Sequence, residues 1–126
     1  MYMSILKAFC NHLFEFLDDI ISLFPNDYDL KTSRKVLYQL RKFNPKSLLV
    51  NWKYYVTNPY KEQIYNENID FFLEKDYKKD IVDVEDGQYI LDVIERLRNP
   101  LQELDKDNKQ KATKYILNLT KLSELY

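Results

Sequence analysis

Ile5, Phe9, Leu13, Phe16, Ile20 and Phe24 recur three or four residues apart, with Leu6, Cys10 and Leu17 beside them. Lys7, Asn11, Glu15, Asp18 and Ser22 fall on the opposite side. An apolar stripe of that period predicts an amphipathic helix over 4–23 with one broad buried face. Ser4 stands where an N-cap is needed, and Pro25 ends the helix by driving Phe24 out of the α region. The turn 26–29 is rich in side-chain acceptors. Asp27 or Asp29 caps a second helix over 30–43, whose apolar residues are Leu30, Val36, Leu37, Leu40 and Phe43. Pro45 suits the first turn of a third helix. Its stripe is Leu48, Leu49, Trp52, Tyr55 and Val56, and the pattern ends it near Asn58-Pro59.

Beyond Pro59 the pattern is less regular. A short helix fits 60–66, and another fits 68–74 with Ile69, Phe72 and Leu73 inward. Residues 76–84 fit a short helix or an extended segment equally well, and 83–87 reads as a loop. Ile90, Val93, Ile94 and Leu97 predict a helix over 88–98, interrupted by Pro100. A final helix begins near Asp107 and keeps Ala112, Tyr115, Ile116, Leu119 and Leu122 on one face. There is no internal repeat, low-complexity tract or linker, and connections are short. The expected fold is all-α: a compact single domain over 1–126, a bundle of five to seven helices of uneven length. Heptads are not sustained, which argues against an extended coiled coil.

Composition narrows the chemistry. The chain has 126 residues, 45% of them hydrophobic, enough for a real core. A single cysteine, Cys10, excludes an internal disulfide framework and points to a reducing compartment. Its apolar neighbours make it a small buried hydrophobe. No apolar run reaches the ~18 residues needed to span a bilayer. Residues 1–6 lack a basic start and a small-residue cleavage site, so no signal peptide is expected. An intracellular chain without a membrane partner follows.

One glycine, Gly87, closes the routes that cradle phosphate on flexible backbone. His12 is the only histidine and lies two residues from Cys10, on a different side of the helix. One His and one Cys do not complete a tetrahedral zinc site. Glu15 and Asp18 share a face at i, i+3 and offer carboxylates to a divalent cation; the alternative is a solvated acidic face that meets Lys or Arg of the second helix. The acids within 76–86 do not follow EF-hand spacing. The sequence therefore reads as non-enzymatic, with no cofactor, no metal and no small-molecule substrate.

Charge supplies the positive signal. The net charge is −1, yet the signs are segregated. Residues 8–30 hold five acids and no Lys or Arg; 31–61 hold eight bases and no acid. Residues 62–86 then hold nine acids against three lysines. Candidate partner-binding residues are Lys31, Arg34, Lys35, Arg41, Lys42, Lys46, Lys53, Tyr54 and Lys61. Tyr38, Phe43, Trp52, Tyr55 and Tyr60 are interleaved with them. Trp52 shares a stripe with Leu48, Leu49 and Val56, so Tyr54 is the better exposed contact. Three readings stay open. The basic segment is a nucleic-acid surface, or a protein interface with aromatic anchors, or a solvated face neutralised by an antiparallel first helix. The acidic flanks favour a protein that assembles, because it uses both signs.

The run Phe9-Cys10-Asn11-His12-Leu13-Phe14-Glu15-Phe16-Leu17-Asp18-Asp19-Ile20, followed by Phe24-Pro25 and Asp27, carries a resemblance. So do Asn44-Pro45, the Trp52 region ending in Tyr60, Asp70-Phe71-Phe72, Asp76-Tyr77 and Leu119-Thr120-Lys121-Leu122-Ser123. Together they cover most of the chain, which resembles a group of short, uncharacterised helical proteins of nucleocytoplasmic large DNA viruses, the giant and algal viruses. Fifteen Lys, ten Asn and eleven Tyr are the bias of an AT-rich genome and agree with such a source. The resemblance implies a helical virion component such as a minor capsid protein. Other viral structural proteins, or copies of itself, would be its partners, in the virion or the viral factory of the host cytoplasm. The alternative is a nucleic-acid-binding or transcription accessory protein that uses 31–61. The resemblance carries over no functional residue.

Overall fold

Polar caps and prolines set the helix boundaries in the computed structural model, which describes residues 4–70 and 86–126. The Ser4 hydroxyl accepts the Lys7 N–H at 3.1 Å and starts α1 (Ile5–Leu23). Asp27 accepts the Leu30 N–H at 3.1 Å and starts α2 (Tyr28–Phe43), two residues nearer the N-terminus than an Asp29 cap would. Pro45 opens α3 (Pro45–Trp52). Asp105 accepts the Asn108 N–H at 2.8 Å and starts the last helix, α6 (Lys106–Leu125). Each cap satisfies a donor the helix leaves orphaned, worth about 1 kcal/mol.

Two prolines do less than the sequence pattern predicts. The expected break at Asn58-Pro59 is instead one π turn, Lys53–Thr57, that joins α3 to α4 (Asn58–Tyr65) without interruption. Within it the Asn58 N–H reaches back to the Lys53 carbonyl. Pro59 has no N–H to give Tyr55, and its ring crowds that carbonyl in a regular helix. Widening by one residue in the turn before it relieves both problems. Pro100 likewise lies inside α5 (Gly87–Gln102), buried near its C-terminal end, where losing one main-chain donor costs little. The five rods α1, α2, α3–π–α4, α5 and α6 make an all-α bundle of uneven helices, with no strand among the described residues. The expectations for 71–85 lie outside the described residues.

Helix α1 packs against α2, α3 and, most extensively, α6; α2 also meets α3 and α5. Phe9, Leu17, Leu30, Leu49 and Leu119 are 0% exposed and belong to one hydrophobic cluster. Trp52 is half-buried, its ring edge-on to Phe9 at 6.0 Å, and its indole N–H donates to the Thr120 hydroxyl at 3.3 Å. Beside it the hydroxyls of Thr57 and Ser123 share a buried 2.7 Å hydrogen bond. This hydroxyl seam fixes α6 against the π turn, since burying such groups unpaired costs 1–3 kcal/mol or so each. No helix among the described residues is long and apolar enough to cross a membrane. Leu49→Ala or Leu119→Ala should lower unfolding free energy by about 2–5 kcal/mol in urea titrations. Tyr28→Ala, on the surface, should change it by no more than about 0.5 kcal/mol.

Candidate protein-docking surface

The basic segment is divided by the packing of α2 on α1. Phe14 is buried on α1, and the guanidinium groups of Arg34 and Arg41 lie over its ring at 5.4 and 5.3 Å. Arg34 Nε also donates to Asp18 Oδ1 at 2.6 Å, and Arg41 donates to the Asn11 side-chain carbonyl. Asp18 thus meets a base of α2, as an acidic helix face beside a basic one requires. Both members of the Asp18–Arg34 pair are partly exposed, so the bridge contributes at most about 1 kcal/mol. Its larger effect is geometric: the two arginines point along the α1–α2 seam.

A second group converges on the end of α6. Lys61 Nζ lies 2.6 Å from Glu124 Oε2, and the Tyr65 hydroxyl donates to Glu124 Oε1 at 2.6 Å. The hydrogen bonds from Lys61 and Tyr65, with the nearby charges of Lys61 and Lys53, hold the Glu124 carboxyl below its usual range. The same bond pushes the Tyr65 phenol up. Tyr54 is half-exposed on the π turn nearby.

Four bases remain. Lys31, Lys35, Lys42 and Lys46 are exposed, and none forms an ion pair among the described residues. Three of them lie on the outer ridge of α2 with two tyrosines, in the order Tyr28, Lys31, Lys35, Tyr38, Lys42. Tyr28 is 84% exposed and Tyr38 51%, and Phe43 at the end of the helix is 78% exposed. Lys46 follows on the first turn of α3. The structure therefore groups Lys31, Lys35 and Lys42 on one ridge, leaves Lys46 exposed apart from it on α3, and sends Arg34, Arg41, Lys53 and Lys61 to other tasks. Phe43, one of the apolar residues of this helix, stands six residues from Leu37, well off the buried face. Tyr28 is the residue sequence reasoning misses. With Asp29 as the cap it falls in the turn; with Asp27 it becomes the first helical residue, in line with Lys31 and Lys35.

The remaining chemistry is structural in form. Cys10 is buried, its thiol directed at the Pro45 carbonyl 4.0 Å away, and burial pushes that thiol up despite Arg41 nearby. His12 packs against the Tyr115 ring at 4.9 Å, with Glu15 3.8 Å from Nδ1. The Tyr115 hydroxyl donates to Asp19 at 2.5 Å and lies 3.4 Å from Glu15. Asp70 Oδ1 lies 2.6 Å from Lys109 Nζ. No group of three or more His, Cys, Asp or Glu side chains is placed to hold a metal among the described residues.

Burial, then the bond to Asp19 and the charges of Asp19 and Glu15, push the Tyr115 phenol well above its ordinary value. A group whose pKa is raised by folding stabilises fully below its unfolded value, about 10 for tyrosine. That contribution is lost as pH rises beyond it. Unfolding free energy should therefore fall between about pH 10 and pH 12, and Tyr115→Phe should make the fall shallower. Urea titrations of both proteins across that range check this; parallel curves would refute it.

No protein-family model matches this chain, and no curated protein or solved structure is significantly similar to it.

Proposed function

We propose that the chain is a non-enzymatic assembly protein that docks an acidic surface of a partner protein on the outer ridge of α2. One observation carries the reading: Lys31, Lys35 and Lys42 are exposed and without ion pairs among the described residues, interleaved with Tyr28 and Tyr38 and ended by Phe43. Unneutralised lysines attract an acidic face and fix its orientation, and large exposed aromatics supply the anchors that make contact adhesive. A merely solvated ridge needs neither Tyr28 nor Phe43 at its ends. The resemblance to proteins of large DNA viruses makes another virion component, such as a capsid protein, the partner, in the particle or the viral factory.

The competing reading is a nucleic-acid surface, favoured by the same lysines and by Tyr38 as a stacking platform. Size-exclusion chromatography with virion proteins, beside a DNA and RNA binding titration, separates the two. The expected result is a co-eluting complex lost in Lys31→Glu/Lys35→Glu/Lys42→Glu, with the melting temperature changed by no more than a few degrees. A protein that stays monomeric with every virion component and is absent from particles refutes the assembly reading. Tight DNA or RNA binding, falling steeply with salt, would replace it.

A further inference from the structure

We infer that the occupant of the α2 ridge is an acidic amphipathic α-helix lying side by side with α2, an inference that rests on the docking reading above. Tyr28, Lys31, Lys35, Tyr38 and Lys42 are spaced three, four, three and four residues apart on one uninterrupted helix. At 100° per residue the five fall within an arc of about 80°, along about 21 Å of helix axis. Such spacing is common to one face of any α-helix; here that face is exposed, cationic and aromatic, and it matches the edge that a second helix presents in a pair, where a 3.5-residue repeat keeps the same edge toward the partner.

The repeat distance selects the partner. Residues seven apart on the ridge, Tyr28, Lys35 and Lys42, are about 10.5 Å apart along the axis. A second helix repeats its own edge at the same interval, so every heptad meets an equivalent one. A strand presents one face every ~6.8 Å and drifts out of step within one repeat. A curved globular surface touches a straight ridge at one point and leaves its ends in water.

The chemistry along the seam mixes aromatic and cationic residues. Tyr28 and Tyr38 stand about 15 Å apart and call for apolar side chains opposite them. Lys31, Lys35 and Lys42 lie between and beyond them and call for Glu or Asp. The flank toward α1 does not compete for the partner's acids, because Arg34 and Arg41 are held at Phe14, Asp18 and Asn11. The other flank, Val36 and Leu40, packs against the core. What faces outward is a single cationic, aromatic seam of about three to four helical turns.

The test uses the full chain and three labelled synthetic probes, followed by fluorescence anisotropy and far-UV circular dichroism at low salt. One peptide of three heptads carries Leu and Glu at the seam positions. The second has the same composition with two central prolines, and the third probe is a short duplex DNA. The helical peptide should bind at least about tenfold more tightly than the proline peptide and gain helicity on binding, since the proline peptide pays the ordering cost without reaching the geometry. Lys31→Glu/Lys35→Glu/Lys42→Glu should weaken it about 100-fold. Lys46→Glu, off the seam, should change it less than about threefold, since exposed off-seam charges contribute little. Equal binding of both peptides through these lysines overturns the helical occupant and leaves the docking surface standing. No binding by either peptide, or preference for the duplex, overturns both. Circular dichroism melts of each variant establish that loss of binding is not loss of fold.

Discussion

Helix α1 is apolar around so much of its circumference that it must be covered on several sides, and the other helices are arranged to do so. Phe9, Leu13, Phe16, Leu17 and Ile20 are all buried, as is Phe14 on the edge turned toward α2. One neighbour cannot cover an arc that wide. Helices α2, α3 and α6 each take part of it, and α5 reaches the core through α2 and α3. The antiparallel pairing of α1 with α2 follows from the short 24–27 connection, and with it comes the meeting of the acidic and basic segments.

That meeting sorts the charges by position on α2. Bases on the flank beside α1 find Asp18, Asn11 and the face of Phe14. Bases on the far side of the same helix form no ion pair among the described residues. The notion of one basic lobe is thus too coarse. The segment 31–61 is three structures: an arginine seam between helices, a cluster tied to Glu124 on α6, and an outward ridge. Only the last is left over once the fold has used what it needs.

Much of this was readable in the residues. The period of α1, the cap at Ser4, and the buried face of α6 are local signals, and they place these helices within a residue or two. The π turn was not readable, because Pro59 breaks a helix in most settings, whereas here one widened turn carries the chain through it with α6 packed on both sides. Pro100 misleads in the same way. Within the ridge, Lys31, Lys35 and Lys42 follow from period alone. Tyr28 depends on which aspartate caps, a choice between two acceptors two residues apart that only the backbone path decides. The partition of Arg34 and Arg41 from their lysine neighbours depends on Phe14, a contact across 20 or more residues that no periodicity reveals.

The cations of α2 also divide by chemical type. Both arginines turn inward, where a planar, delocalised group lies flat on an aromatic ring and a compact ammonium would not. All three lysines turn outward. Every positive charge on the outer face of the helix is therefore a primary amine, and acylation can erase it one residue at a time. The guanidinium contacts that seat α2 on Phe14 would be untouched by that chemistry. The outer charges of this helix and the packing that seats it are thus open to separate covalent change.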